Sequence, residues 1–364
     1  MPSETIRFDP SHSSDIISYY YSNYSTSCSQ GTSYFATWQF LAASVHWILI
    51  IQVPLVIFTG YCLLEKTPKA MGSLRWAMLN VHIWSTFMDV LLCSLVTPYI
   101  FFPSFSGFSV GLLSFLGIPT HIQTYLGITS IGFMFNSISA LFENRSSSFQ
   151  MNRFRFERNF TRFAFFISSG TVTALILIPL FLNLPDQNSA KLRILSKLRC
   201  PSEAFFTSPV FVLLDTKFWG YYLGIVLSIQ FGWVWSQILF FCACITYHIY
   251  FLEKSVYSMK TKKLQKMFFI GNLVQITIPS LFWAFPGSCL YPIYQLNYYN
   301  QSLINIGVSF VSLHGLASMI AILLIHHPYR NFIMELIRRY VNWDTRMKIG
   351  SVSESVSRIF VIRK

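Results

Sequence analysis

Charged residues are scarce in this 364-residue chain: only 11% of it is Asp, Glu, Lys or Arg, whereas 53% is hydrophobic. That composition excludes an ordinary soluble domain and is typical of a membrane protein. Lys and Arg are absent from seven apolar runs, at 35–64, 76–102, 120–142, 163–184, 219–250, 267–290 and 304–326. Each run is long enough for a helix to cross a hydrocarbon core of about 30 Å. Because lipid offers the backbone no hydrogen bonds, the sequence predicts an all-α bundle of seven transmembrane helices.

Motifs of catalysis are also missing. The chain has no His-Glu-x-x-His, no Gly-rich phosphate loop and no nucleophile elbow, and its eight His and seven Cys residues show no spacing typical of a metal site. An active site needs several converging titratable groups, so we expect neither enzyme activity nor a catalytic metal or cofactor. The net charge of +13 comes from short loops between the runs. It therefore predicts contact with anionic membrane lipids and not with nucleic acid.

The basic residues are divided unevenly between the two sides of the predicted bundle. The odd-numbered loops and the C-terminal tail carry 21 Lys and Arg, whereas the N-terminal segment and the even-numbered loops carry 6. The positive-inside rule then predicts an extracellular segment over 1–34, the bundle over 35–326 and a cytoplasmic tail over 327–364. No signal peptide is recognisable, so we expect the first helix to direct insertion. Asn23 and Asn300 begin Asn-x-Ser acceptors on the predicted outer side and are expected to carry glycans.

Three cysteines lie at or near the predicted outer face, where the environment is oxidising. They are Cys28, Cys200 and Cys289, and at most one pair of them can form a disulfide. A Cys28–Cys200 bond would tie the N-terminal segment to the long fourth loop. A Cys200–Cys289 bond is the alternative, and the residues alone leave both pairings open.

Asp89 is the one charged residue well inside a predicted span. Because a charge at that depth costs about 2.5–3.5 kcal/mol on insertion scales, it is expected to face the bundle interior and find polar partners. A helical wheel places His82 on the same polar stripe of the second helix. We interpret Asp89 and His82 as an ion or water site, or a conformational switch. A static hydrogen-bonded hub is the alternative.

The third helix carries a stripe of polar residues at helical spacing that runs from His121 to Glu143. Its outer part, His121, Tyr125 and Thr129, is expected to line a ligand pocket. Trp283 lies in the outer half of the sixth helix and suits an apolar or amphipathic ligand. The alternative for each residue is a hydrogen bond to a neighbouring helix, or a place in the aromatic belt.

Beyond the seventh run the sequence separates apolar from polar residues over about 330–343. Phe332, Leu336 and Tyr340 share one face, and Arg338 and Arg339 share the other. This pattern predicts an amphipathic helix lying in the membrane interface.

A set of short motifs, in order and with matching spacing from about 35 to 330, resembles the nematode serpentine chemoreceptors of class H. The motifs are Lys66-Thr67-Pro68-Lys69-Ala70-Met71, Leu79-Asn80-Val81-His82-Ile83-Trp84, Pro98-Tyr99, Phe142-Glu143-Asn144-Arg145, Pro185-Asp186-Gln187, Tyr299-Asn300-Gln301, Leu313-His314-Gly315 and His327-Pro328-Tyr329-Arg330. The resemblance implies a G-protein-coupled receptor in the plasma membrane of ciliated sensory neurons. Its partners would be a small environmental or pheromone-like ligand and a heterotrimeric G protein.

The same resemblance assigns roles to individual residues. Glu143 and Arg145 look like the acidic and basic elements that end the third helix and serve G-protein coupling, although here Asn144 separates them. Asp89 looks like the second-helix carboxylate that holds a sodium ion in many such receptors. No Cys begins the third helix, and this departure favours the Cys28–Cys200 pairing.

Two other functions remain as hypotheses. A seven-helix ligand-gated channel subunit would have the opposite orientation, with the N-terminus inside. A transporter would show repeated halves and paired broken helices, and the sequence shows neither.

Overall fold

The structure, a computed structural model, describes residues 6–28, 33–68, 72–198, 200–251, 259–296 and 298–341. Seven helical segments in these ranges are long and apolar enough to cross a membrane. From the first to the seventh span they are Trp38–Glu65, Gly72–Leu95, Thr120–Ser147, Asn159–Leu182, Lys217–Phe251, Gln265–Leu296 and Gln301–Ile325. The predicted all-α bundle of seven candidate spans is confirmed.

Several spans are not uniform α-helices. The second ends in a π-helical turn over Leu91–Leu95, and the fifth ends in another over Tyr247–Phe251. The fourth is divided into Asn159–Leu175 and Ile178–Leu182, and the sixth span belongs to a longer helix, Met259–Leu296. The seventh consists of the helices Gln301–Val311 and His314–Ile325. These breaks expose backbone carbonyls inside the bundle, where side chains bind them.

The predicted second helix extended to residue 102, and the structure corrects this boundary. The helical segment ends at Leu95, Thr97 has a φ of 44°, and Pro98 begins a β-strand. A residue that precedes proline is disfavoured in the α conformation, and proline has no N–H to continue the helix. The apolar residues after Pro98 are buried in a hairpin and do not prolong the span.

That hairpin belongs to a small antiparallel sheet. Strand β1 (Pro98–Phe101) pairs with β2 (Ser106–Ser109), and β2 pairs with β3 (Phe211–Val212). Pro98 lies opposite Ser109, and Ser106 lies opposite Val212. A Cβ atom at Gly107 would lie 2.3 Å from the Tyr99 carbonyl oxygen, so β1 and β2 need glycine at this position.

The N-terminal segment packs against the long fourth loop at the same end of the bundle. It contains the helix Ser14–Tyr19 and a π-helical turn over Tyr20–Tyr24. The fourth loop contains the helices Gln187–Lys197 and Ala204–Thr207. Tyr24 donates a hydrogen bond of 2.9 Å to the Pro201 carbonyl, and the fully buried residues include Ile16, Phe205 and Phe206.

A disulfide joins Cys28 to Cys200, with their Cα atoms 5.7 Å apart. Cys289 is a free and exposed thiol. We call the end of the bundle with this disulfide the disulfide end, and the opposite end the Arg145 end. The Tyr99 hydroxyl ties the sheet to this end of the bundle, because it donates to the Ala36 carbonyl before the first span at 2.6 Å and lies 2.9 Å from the Ser202 hydroxyl of the fourth loop. Burial raises the pKa of Tyr99 to about 12, so its hydroxyl keeps the proton that it donates.

The chain is helical again over 327–341, directly after the seventh span. Tyr329 is buried, and its hydroxyl lies 2.7 Å from the Thr67 hydroxyl after the first span. Further along, Leu336, Ile337 and Tyr340 are exposed. The apolar face of this helix is thus only partly covered by the described protein.

Candidate functional site

A cavity of about 410 Å³ lies beneath the β1–β2 hairpin, between the second, third, sixth and seventh spans. Its volume falls within the range of small-molecule pockets, about 300–1,000 Å³. Aromatic and aliphatic side chains form most of the wall, which includes Tyr99 and Phe108 from the sheet, Met88 from the second span and Trp283 from the sixth. The cavity therefore suits a mainly apolar molecule.

Gln123 supplies the clearest polar group of this cavity. Its side chain is fully buried, and its Nε2 donates to the Ile118 carbonyl at 2.7 Å and to the Ser114 hydroxyl at 3.1 Å. These two bonds fix the orientation of the amide, and Oε1 has no hydrogen-bond partner among the described residues. A buried acceptor without a donor is costly, so a hydroxyl or N–H group that reached Oε1 would gain a hydrogen bond there.

The structure separates the residues that the sequence predicted for ligand binding. Trp283 lines the cavity. Tyr125 instead donates to the Ala174 carbonyl of the fourth span at 2.5 Å, and the His121 ring lies 6.2 Å from the Phe211 ring. Thr129 donates to the Tyr125 carbonyl within its own helix. The opposite face of the third helix, including Gln123, meets the cavity.

A second cavity, of about 470 Å³, lies between the third, fourth, fifth and sixth spans. Thr129 and Trp283 both line it, so the Trp283 indole stands at the boundary of the two cavities. The indole Nε1 is buried and has no hydrogen-bond partner in the described part of the chain. Trp283 also contacts the His314 ring edge to face, with 6.4 Å between centroids.

His314 belongs to a deeply buried polar cluster inside the bundle. Its Nδ1 lies 3.4 Å from Asp89 Oδ1, and both side chains are at most 2% exposed. The cluster sits at the break in the seventh span, where His314 Nδ1 also bonds the Val311 carbonyl at 2.9 Å. Gln52 of the first span donates to the Ser312 carbonyl at 3.1 Å. Side chains from the first, second and seventh spans thus meet at this break, and those of Gln52 and His314 bind its carbonyls.

The Asp89 carboxylate lies at the start of the helix His314–Ile325, directly against Gly315. A Cβ atom on Gly315 would be 1.7 Å from Asp89 Oδ2. A carboxylate at a helix N-terminus is stabilised by the free N–H groups and the helix dipole. His82, two turns earlier, faces a different partner, since its Nε2 lies 3.2 Å from the Val56 carbonyl of the first span. The structure therefore does not join His82 and Asp89 in one cluster.

Glu143 and Arg145 end the third span, and they face different neighbours. Glu143 is 1% exposed, forms an ion pair of 2.9 Å with Arg162 and accepts a 2.6 Å bond from Ser147. Arg145 donates to the Gln265 carbonyl of the sixth span at 3.1 Å. The two residues do not pair, because their spacing of two directs them to different sides of the helix.

Arg145 is buried although it has no carboxylate partner within the described ranges. Its guanidinium lies over the Phe268 ring, 5.4 Å from the centroid, and Phe268 stacks on His326 at 5.7 Å. His326 in turn contacts Tyr329 at 5.6 Å. At this end the third span is held to the sixth by one charge-assisted bond and one cation–π contact.

Comparison with known proteins gives this arrangement its family. The profile of the family described as serpentine type 7TM GPCR chemoreceptor Srh matches residues 36–339. The chain belongs to this family of chemoreceptors. Serpentine receptor class H-72 of Caenorhabditis elegans is 32% identical to it over 341 residues, which are 94% of this chain and 97% of the relative. No solved structure matches the chain.

Family membership confirms the predicted resemblance and makes the chain a multi-pass membrane chemoreceptor of the G-protein-coupled class, not an enzyme. Among the described residues of this receptor, no group of three or more His, Cys, Asp or Glu is arranged to hold a metal ion.

Two features of the receptor site were missed by sequence reasoning. The break in the seventh span contains no proline, and the motif Leu313-His314-Gly315 beside it did not predict it. Gln123 lies on the face of the third helix opposite the predicted polar stripe. Only its hydrogen bonds distinguish it from an ordinary buried residue, because Nε2 donates to two acceptors and Oε1 has no partner among the described residues.

The predicted glycan acceptors both lie at the disulfide end. Asn23 is exposed in the π-helical turn. Asn300 is partly buried, and its Oδ1 accepts from the Leu303 N–H at 3.1 Å, so it caps the first helix of the seventh span. The capping bond uses Oδ1 and leaves Nδ2, the atom to which a glycan attaches.

Proposed function

We propose that this receptor detects a small environmental or pheromone-like molecule in the 410 Å³ cavity and activates a heterotrimeric G protein at the Arg145 end. The observation that carries this proposal is the position of Trp283, which lines the cavity and contacts His314. A ligand would be mainly apolar, with one donor group for Gln123 Oε1. We leave His121 and Tyr125 out of the proposed site, because their contacts are with the fourth span and the fourth loop.

The proposed orientation has the disulfide end outside the cell, with 1–34 as the extracellular segment, and the Arg145 end in the cytoplasm. Of that segment, 1–5 and 29–32 lie outside the described residues. It rests on the excess of Lys and Arg in the odd-numbered loops and tail. The helix over 327–341 would then lie along the membrane interface, with exposed Leu336 and Ile337 in contact with lipid. The remainder of the predicted amphipathic helix, 342–343, lies outside the described residues. The family suggests the ciliary membrane of chemosensory neurons as the site of action.

We propose that the signal passes from the cavity to the Arg145 end through a series of contacts. A ligand that displaces Trp283 would alter its packing on His314, which lies beside Asp89 at the break in the seventh span. Opening of the Arg145 end would require the bond between Arg145 and the Gln265 carbonyl to break. The ligand can favour the open state only by the difference in its affinity for the two states.

Asp89 and Gln52 also carry buried oxygens that make no hydrogen bond of good geometry with described residues. Carboxylate and amide oxygens are ligands for hard cations. A sodium ion or a water molecule fits this donor set, and His314 provides a competing nitrogen 3.4 Å from the carboxylate. The sodium ion stays a prediction.

A cavity-filling substitution tests the proposed ligand site. A Cβ atom at Gly127, in the cavity wall, would meet nothing within 4 Å, so Gly127→Leu fills the cavity without a backbone clash. Cells that express the receptor with a G-protein activation sensor would be screened with volatile and amphipathic molecules. For any activator found, Gly127→Leu is expected to lower potency about tenfold or more, because the ligand loses buried volume.

The control is Gly232→Leu in the fifth span. A Cβ atom there also meets nothing within 4 Å, and Gly232 lines neither cavity. The proposal is wrong about the site if both variants respond to the activator like the wild-type receptor. It is wrong about coupling if the activator binds the purified receptor and no G protein is engaged.

A further inference from the structure

A separate crevice of about 590 Å³ opens at the disulfide end, outside the cavity proposed for the ligand. It lies between the helix Gln187–Lys197, the hairpin turn at Phe105, the start of the fifth span and Tyr294 at the end of the sixth. It shares one lining residue with each of the two cavities described above. Phe105 also lines the first cavity, and Leu227 also lines the second. The crevice is therefore a distinct site.

Cations of two elements line its polar part. Arg193 and Lys197 come from the helix of the fourth loop, and Lys217 begins the fifth span. Arg193 is ion-paired with Asp215, which also lines the crevice. Lys197 and Lys217 are exposed and have no ion-pair partner in the described part of the chain. The rim thus carries a net positive charge that the protein itself does not neutralise.

Below this rim the crevice is apolar and follows one face of the fifth span. Lys217, Gly220, Gly224 and Leu227 line it at helical spacing, a distance of about 15 Å along the helix axis. Cβ atoms at Gly220 and Gly224 would meet nothing within 4 Å, so these glycines leave open space along the wall. Leu223 and Leu214 provide buried apolar surface, and Tyr294 is about half exposed at the opposite wall.

We propose that this crevice binds an anionic amphiphile, with its carboxylate or phosphate at Lys197 and Lys217 and its hydrocarbon chain along the Gly220–Gly224 face. A cationic rim above an apolar slot along a membrane-spanning helix matches that chemistry, because it offers one surface to a charged group and another to a hydrocarbon chain. A neutral molecule would leave the two Lys side chains unused, and a soluble anion would leave the slot empty. The site goes beyond the proposed ligand cavity, and a bound chain would wedge between the fourth loop and the fifth and sixth spans.

The amphiphile has two sources, a free fatty acid or a membrane phospholipid, and photolabelling distinguishes them. The purified receptor in phosphatidylcholine nanodiscs would be labelled with diazirine-bearing palmitate or diazirine-bearing phosphatidylglycerol. Diazirine-bearing hexadecanol, a neutral molecule with the same chain, is the control. Peptide mapping by mass spectrometry is expected to place adducts between Leu214 and Leu227 and at Tyr294. Labelling by palmitate indicates a free fatty acid, and labelling by phosphatidylglycerol alone indicates a phospholipid.

Variants test the geometry. Lys197→Gln and Lys217→Gln are each expected to weaken binding of the charged probe about fivefold, the value of one basic residue near an anionic surface. Gly224→Leu is expected to abolish labelling because it fills the slot. Gly232→Leu on the same helix and Lys263→Gln, an exposed charge of the sixth-span helix outside the crevice, are matched controls that should label like the wild type.

The proposal is overturned if hexadecanol labels the crevice as well as the charged probes do, or if no adduct maps to it. It is also overturned if Gly224→Leu elutes as a monodisperse protein and keeps full labelling. Should that variant not fold, competition of unlabelled palmitate against the probe on the wild-type receptor decides the same question. The assay needs no G protein, and Gly127→Leu in the other cavity should leave it unchanged, so its failure is distinct from failure of the proposed function.

Discussion

Replacing Gly315 by alanine should destabilise the folded receptor, because the added methyl group would clash with the Asp89 carboxylate. The new Cβ would lie 1.7 Å from Asp89 Oδ2 and 2.4 Å from Asp89 Cγ. Real Cβ contacts begin near 3.0 Å, so the carboxylate or the helix must move by about 1.3 Å. Asp89 is 1% exposed and cannot swing into water. Overpacking of this kind costs about 1–3 kcal/mol.

The same geometry predicts a rescue. Asp89→Ala removes the atoms that the new methyl group would strike, so the double variant should regain most of the stability that Gly315→Ala loses. The coupling free energy in the four-protein cycle is then expected to be about 1–3 kcal/mol, far from the zero of independent sites. Gly232→Ala, whose Cβ meets nothing within 4 Å, should change the stability by less than about 0.5 kcal/mol.

Thermal unfolding of the four purified proteins in nanodiscs measures the cycle, at about 2 °C of midpoint shift per kcal/mol. A Gly315→Ala receptor with the wild-type midpoint would refute the contact itself. An unstable Gly315→Ala receptor that Asp89→Ala does not rescue would refute the assignment of the clash to the carboxylate.

Three other predictions follow from the two ends of the bundle. Arg145→Ala removes the side chain that we propose engages the G protein once its bond to the Gln265 carbonyl breaks, so we expect about tenfold weaker ligand-evoked G-protein activation. Exposed Arg153→Ala should have a smaller effect, and equal effects would contradict this role. Cys200→Ser breaks the disulfide, so it should lower the free energy of unfolding by about 2–5 kcal/mol and reduce surface expression. Cys289→Ser removes a free thiol and should do neither. Equal surface expression of the two variants would contradict a structural role for the disulfide. Burial lowers the pKa of His12 below 6.5, and the positive charge of Lys191 adds to this effect. The unfolded chain therefore binds the proton more readily, and the stability that depends on neutral His12 should be lost as the pH falls below about 6.5. His12→Gln should flatten this pH dependence of the unfolding midpoint, and an unchanged dependence would contradict the role of His12.

Hydrophobic length and charge were sufficient to predict the spans, because lipid leaves the backbone no alternative to a helix. They failed at the end of the second span, since the apolar run continues without interruption from the helix into β1. There the burial comes from the hairpin and the N-terminal segment, and not from lipid. Only the conformational restriction before Pro98 marks the change.

The site was harder to predict than the fold. A helical wheel shows which residues of the third helix share a face, but it cannot say which neighbouring helix that face meets. Tyr125 therefore belonged to the correct polar stripe, and yet its hydroxyl bonds the fourth span. Asp89 was recognised because an intramembrane carboxylate is costly, whereas His314 became meaningful only when the break in the seventh span placed it beside Asp89.

The orientation of the chain is the most direct test of the account, because the ligand site and the G-protein site exchange sides if it is reversed. The receptor with a C-terminal tag would be expressed in cells, with and without Asn23→Gln and Asn300→Gln together. We expect a glycosidase-sensitive mass shift that the double variant abolishes, and a tag that antibody reaches only after permeabilisation. A tag accessible on intact cells, with no glycan on the chain, would contradict the proposed function and favour a channel subunit of inverted topology.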